Sequence, residues 1–296
     1  MDCDVSGGAL ITQALRIGSD PDASPRSPVS MESPPRPMPV QPSPVPLLVG
    51  IHGWMLSSKV WAPFEPVWAD LSPTAGSEAT MPLWCPDLPG FGERQRPTAL
   101  LPTLAAYGRW LADQALAKAG PRPIVLMGHS LGASVALHAA QVLEHHTPGR
   151  LHALVLIAAG GGIYQPRPFQ RLRRGGRLVV RLRPRLPLAL GPFQAEERAA
   201  LGLLMNSTCR GAIRQIPNLV ADLPVANLWI SGSDDRVMEP GYVRHLASYS
   251  PRHALIHLEG CGHLPMQSHA SELAGAIHGW LQSLASPRSC SSASSA

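Results

Sequence analysis

Apolar residues along this chain gather in short runs of strand length: Leu47–Ile51, Leu83–Pro86, Ile124–Met127, Leu154–Ala158, Leu228–Ser231 and Ala254–Leu258. Longer helix-like segments separate most of them, at Leu101–Ala119, Leu131–His145, Pro240–Ser250 and Ser268–Leu284. Strands that read apolar throughout are covered on both faces, so their alternation with helices predicts an α/β fold built on a mostly parallel sheet. One interval breaks the rhythm. From Gly160 to Pro224 no such run intervenes, which predicts a mostly helical cap inserted between two strands and entered through a hinge at Gly160–Gly162.

The ends of the chain follow a different pattern. Ten prolines crowd residues 20–46, a density that forbids both helix and ladder and predicts an extended leader. Met31 and Met38 lie inside it and offer later translation starts. The expected organisation is a disordered Pro-rich leader at 1–45, a core in two parts at 46–159 and 225–284, the cap at 160–224, and a Ser-rich tail at 285–296.

With 296 residues and 31.6 kDa, the chain can bury a sizeable core. Its charge is uneven. Residues 160–222 hold eleven arginines against Glu196, Glu197 and Asp222, a net of +8; subtracted from the total of +5, that leaves −3 elsewhere. A chain negative outside one segment is not a general nucleic-acid binder. Five scattered cysteines with no CxxC pair argue against a disulfide framework or a zinc site and fit a reducing cytoplasm. No run of eighteen apolar residues is present, and the acidic start at Asp2 and Asp4 does not read as a secretory signal.

Candidate chemistry sits at the C-terminal ends of the strand-like runs. Gly128-His129-Ser130-Leu131-Gly132 joins one run to a helix, and a sharp turn there lifts a serine hydroxyl above a sheet. An N-cap serine without chemistry is the plain alternative. A nucleophilic serine needs a base, and the base needs an orienting carboxylate. His263, in Gly260-Cys261-Gly262-His263-Leu264-Pro265, follows the last run, and Asp234 and Asp235 follow the run before it. The order Ser, Asp, His along the chain is that of the α/β-hydrolase triad. Val49-Gly50-Ile51-His52-Gly53-Trp54 ends the first run in a His-Gly turn, so the backbone N–H groups of Trp54 and Leu131 are the candidate oxyanion donors. His52 serves that turn, and His129 points aside rather than acting as the base. Nothing in this chemistry calls for a metal or an organic cofactor.

Taken in order, His52-Gly53-Trp54, Asp87-Leu88-Pro89-Gly90-Phe91-Gly92, Gly128–Gly132, Gly232-x-x-Asp235 and Gly262-His263-x-Pro265 resemble the α/β-hydrolase superfamily over residues 46–284. The resemblance selects Asp235 as the acid, three residues after its Gly, and implies a cap between strands six and seven. It also implies that Trp54 and Leu131 line the acyl pocket. Two departures stand out: the antiparallel hairpin that usually precedes the His-Gly strand is replaced by the Pro-rich leader, and the cap matches nothing residue by residue. The sheet is therefore expected to begin at Leu47, at an edge for the leader to cover.

Within the superfamily, His-Gly-Trp, the later Trp61 and the Asp-Leu-Pro-Gly-Phe-Gly turn look most like the pimeloyl-acyl-carrier-protein methyl ester esterases of biotin synthesis. That resemblance implies a serine carboxylesterase whose cap arginines, Arg167, Arg171, Arg173, Arg174, Arg177 and Arg181 among them, hold an acidic acyl carrier protein. The arginines also fit a solvated helical face, or weak contact with anionic lipid by a lipid esterase at a membrane surface. Two other functions compete. A C–C hydrolase or lyase of menaquinone or aromatic metabolism would aim arginines into its cleft, and a non-catalytic binding protein would dispense with the intact Ser130, Asp235 and His263.

Overall fold

The computed structural model describes residues 44–71, 81–161, 163–182 and 195–285. Residues 1–43 of the leader, 286–296 of the tail, Gly162, Arg183 and Arg185 lie outside the described residues. The sheet is built from β1 (Leu47–Ile51), β2 (Leu83–Trp84), β3 (Ile124–His129), β4 (Leu151–Ile157), β5 (Ala226–Gly232) and β6 (His253–Leu258), in the order β2-β1-β3-β4-β5-β6 with every pairing parallel.

Parallel strands need crossovers, and helices supply them on both faces. α2 (Leu104–Ala119), α3 (Leu131–His146) and α7 (Pro240–Ala247) cover one face; α1 (Phe64–Asp70), the short α8 (Pro265–Ser268) and α9 (Ala270–Ala285) cover the other. The strands show why. Along β3, Ile124 and Leu126 enter the first core while Val125 and Met127 enter the second, and all four are fully buried. Burial of each such side chain contributes roughly 1.5–3 kcal/mol. α2 and α3 meet at Gly108, where a Cβ would stand 2.4 Å from that of His138.

Three expectations need correction. β1 is not an edge: β2 pairs on its outer side, and that two-residue strand forms the margin. β6 is the opposite margin and is not apolar throughout, since Leu255 is 41% exposed and His253 and His257 face solvent. An edge strand has one neighbour and incomplete cover, so its burial alternates. Finally, α4 (Pro166–Leu182), α5 (Glu197–Ser207) and α6 (Arg210–Ala221) lie between the fourth and fifth strands, because no strand precedes β1 among the described residues. No helix among the described residues is long and apolar enough to cross a membrane.

Candidate active site

Ser130 occupies the single position between β3 and α3, with φ 54° and ψ −116°. A non-glycine residue there carries about 1–3 kcal/mol of strain that the surroundings must enforce. Its N–H donates to the Ile157 carbonyl of β4 at 2.9 Å, fixing the turn against the sheet. The flanking glycines are sterically required. A Cβ on Gly128 would lie 2.5 Å from the Gly132 carbonyl oxygen, and one on Gly132 would lie 2.5 Å from the carbonyl oxygens of both Ile51 and His52. All of those obstacles are backbone and cannot swing away.

The loops after β5 and β6 bring the other two groups to this turn. They are laced together by Ser233 N–H to Leu258 O and Asp234 N–H to Cys261 O, both 2.9 Å. Gly232 permits the approach, since a Cβ there would stand 2.2 Å from the Cys261 oxygen. His263 Nδ1 lies 2.8 Å from Asp235 Oδ2, and its Nε2 lies 3.2 Å from Ser130 Oγ. Asp235 is 3% exposed, and its Oδ1 accepts the N–H groups of Val237 and Met238, each at 2.8 Å. Burial pushes its pKa up, but the hydrogen bonds from His263 and those two amides outweigh it, and the carboxyl sits below its ordinary value. Asp234 is exposed, and among the described residues its carboxylate accepts only from Ser233 Oγ, at 3.1 Å.

The two neighbouring histidines are structural. Leu88 N–H donates to His52 Nε2 at 3.0 Å, which leaves Nδ1–H to reach the Gly53 carbonyl at 2.9 Å. His129 Nε2 donates to the His263 carbonyl at 2.7 Å and so supports the loop from behind. Burial, the dominant cause for both, lowers their pKa to about 4 for His52 and about 3 for His129. His138, beneath α2, is likewise lowered to about 4 by burial. Between pH 6.5 and these values the unfolded chain binds protons that the folded chain refuses, so stability is full above pH 6.5 and falls as the solution is acidified. For His52 alone the loss is on the order of 3 kcal/mol. Urea unfolding should therefore show a clearly lower midpoint at pH 5.0 than at pH 7.5; equal midpoints would contradict neutral burial of these rings.

The turns that carry Trp54 and Leu131, the candidate oxyanion donors, approach closely: a Cβ on Gly53 would stand 3.3 Å from the Ser130 Cβ, and one on Gly132 2.5 Å from the Ile51 and His52 carbonyl oxygens. Leu131 is the first residue of α3, where the helix supplies no acceptor for its N–H. Trp54 leaves β1 in a turn whose next residue, Met55, has φ +60°. Its indole N–H donates to the Ala200 carbonyl of α5 at 2.9 Å, and its ring edge faces Gly176 of α4, where a Cβ would come within 3.1 Å. Neither contact carried any sequence signal, being separated by more than a hundred positions. Of the six cap arginines, Arg167, Arg171, Arg174, Arg177 and Arg181 are exposed. Arg173 is turned inward instead: its Nε donates to Thr208 Oγ1 at 2.7 Å and its Nη2 to the Thr208 carbonyl. Among the described residues no group of three His, Cys, Asp or Glu side chains is placed to hold a metal ion.

A turn that strains a serine between strand and helix, with a histidine and an aspartate arriving from later strands in that order, is shared by one superfamily. The sequence profile described as the alpha/beta hydrolase family matches residues 48–276. The chain belongs to the alpha/beta hydrolase family. Among relatives in this family, the pimeloyl-[acyl-carrier protein] methyl ester esterase of Stenotrophomonas maltophilia (strain K279a) is 29% identical over 271 residues, covering 81% of this chain and 94% of the relative. The protein of the same name from Xanthomonas axonopodis pv. citri (strain 306) is 31% identical over 266 residues, covering 81% and 96%. A thermophilic esterase from Thermogutta terrifontis superposes with a TM-score of 0.65 at 20% identity, over 82% of this chain and 92% of that one, and so shares the alpha/beta hydrolase fold.

Proposed function

We propose that this protein is a serine carboxylesterase whose substrate is the methyl ester of a pimeloyl group carried on an acyl carrier protein. The observation that carries the reaction is the line from Ser130 Oγ through His263 to Asp235, at 3.2 and 2.8 Å. His263 takes the proton of Ser130 as the oxygen attacks the ester carbonyl, and the Trp54 and Leu131 amides receive the oxyanion. Collapse of the tetrahedral species expels the alcohol, which leaves with the proton from His263. Water, deprotonated by the same nitrogen, then releases the acid and restores the serine. Asp235, held ionised by its hydrogen bonds, keeps Nδ1 protonated and Nε2 free to act as base.

The substrate reading rests on the named relatives and on the outer face of α4. No carboxylate occurs between Glu144 and Glu196, and five arginines of α4 stand exposed. Arginines on the outside fit an acidic protein partner better than substrate carboxylates in a cleft, which is why the C–C hydrolase reading is set aside. A charged rim of this kind speeds encounter with an oppositely charged partner. A reducing cytoplasm completes the reading.

Expression in a biotin auxotroph lacking its esterase should restore growth without biotin. Reversing Arg167, Arg171 and Arg174 to Glu together should abolish rescue while leaving hydrolysis of a small p-nitrophenyl ester intact. Failure of the wild-type chain to rescue, with small-ester activity present, would remove the carrier-protein substrate. Leu172, Leu178, Val179 and Leu182 are also exposed on α4 and favour a second reading, an esterase acting at an anionic lipid surface. Cosedimentation with phosphatidylglycerol vesicles but not phosphatidylcholine vesicles would decide for it.

A further inference from the structure

Trp54 is bound from above by α5, and α5 is fastened to the core at both ends. At its N-terminal end, Arg96 Nε and Nη2 donate to Glu196 Oε2 and Oε1 at 3.0 and 2.9 Å. Arg96 Nη1 is occupied as well, by the carbonyls of Pro97 at 3.0 Å and Leu100 at 2.6 Å, and the side chain is only 3% exposed. Glu196 N–H donates to the Gly90 carbonyl at 2.6 Å, beside an isolated antiparallel bridge between Phe91 and Ala195. At the far end, Leu104 N–H donates to Asn206 Oδ1 at 2.8 Å. Between these fastenings runs one hydrogen-bonded path: the Glu196 carbonyl accepts from Ala200 N–H at 2.9 Å, and the Ala200 carbonyl accepts the Trp54 indole N–H.

A two-pronged guanidinium–carboxylate pair fixes direction as well as distance, which a lysine or a neutral amide does not. Oxyanion donors are sensitive to placement, and a displacement of about 1 Å at a reacting centre costs up to about 10²-fold in rate. We propose that Arg96 and Glu196 are positioning residues for the reaction: their ion pair sets the register of α5 over the site and, through Ala200, holds the Trp54 turn whose backbone N–H receives the oxyanion. The inference rests on the esterase reading above. It assigns work to two side chains whose hydrogen bonds reach none of Ser130, Asp235 and His263, and it joins the cap to the turn through Trp54.

The test is a double-mutant cycle on a small p-nitrophenyl ester, using Glu196→Gln, Arg96→Lys and Trp54→Phe. Each single change should lower kcat about tenfold with KM held within about twofold, because oxyanion contacts are made in the transition state and not in the ground state. Trp54→Phe keeps a ring and deletes the donor, so Glu196→Gln added to it should lower kcat no further. Multiplied losses in the double variant, an effect on KM alone, or unchanged kcat in Arg96→Lys and Glu196→Gln would each overturn the proposal. Circular dichroism and thermal midpoints identify variants that fail to fold, and the Arg96→Lys arm, which keeps the charge and removes the two-pronged fork, then decides. The reading beneath fails separately, on retained turnover in Ser130→Ala; an inert Ser130→Ala beside unaffected Arg96→Lys and Glu196→Gln variants removes this inference only.

Discussion

Ser130→Ala is expected to lower kcat on simple esters by about 10⁴–10⁶-fold, the range set by loss of a nucleophile that works as one unit with its base. The prediction is sharp because little else should change. Alanine is an L residue like serine, so it meets the same backbone demand at φ 54°, and the Ser130 N–H bond to Ile157 is untouched. Only the oxygen goes, with its partly buried 3.2 Å contact to His263. Such a contact is worth about 0.5–1.5 kcal/mol, so the thermal midpoint should move by only a few degrees. Turnover by the variant would be measured beside labelling by a fluorophosphonate probe, which forms its bond with an activated serine. The expected result is a folded protein that neither turns over ester nor takes up probe. Retained turnover would place the chemistry on another residue, and a folded wild-type chain that neither takes up probe nor turns over ester would favour a binding protein on a hydrolase scaffold.

The site was far more legible in the sequence than its supports, and the reason is physical. Ser130, Asp235 and His263 each stand in a short glycine-bearing motif at a strand end: Gly128 and Gly132 approach backbone, Gly232 approaches Cys261, and Gly260 takes a φ of +66° in the loop before His263. Local steric need leaves a local trace. The central strands were equally plain, since burial on both faces forces a continuous apolar run in β3 and β4. The margins were not. β2 shrinks to two residues, and β6 alternates because Ala254 and Ile256 pack on the second core while His253, Leu255 and His257, on the other face, stay exposed. α1 escaped notice because its seven residues include Pro66, yet Phe64 and Trp68, one turn apart, stack at 5.7 Å and are buried. Contacts between distant segments left no trace of any kind. Arg96 meets Glu196 across 100 positions and Trp54 meets Ala200 across 146. Arg173 looked like its neighbours in sequence, and only the position of Thr208 turned it inward.

Asp235→Asn should cost about 10⁴-fold in kcat while leaving the site's outline intact. The structure dictates how the amide would sit. Oδ1 accepts two backbone N–H groups, from Val237 and Met238 at 2.8 Å each, so the asparagine oxygen must take that place. Its NH₂ then faces His263 Nδ1, where a donor now meets the position that formerly donated. The imidazole answers by moving its proton to Nε2, and a protonated Nε2 offers Ser130 no lone pair. The histidine stays within reach of the hydroxyl and is in the wrong tautomer to act as base. Asp234→Asn is the matching control: its carboxylate is exposed, accepts among the described residues only from Ser233 Oγ, and the variant should keep kcat within about twofold of wild type. Measured together, the two variants separate orientation of His263 from the general negative charge of the loop. Equal losses in both would mean that the loop's charge, and not the 2.8 Å bond to Nδ1, supports the reaction. A full-rate Asp235→Asn would remove the acid from the triad altogether.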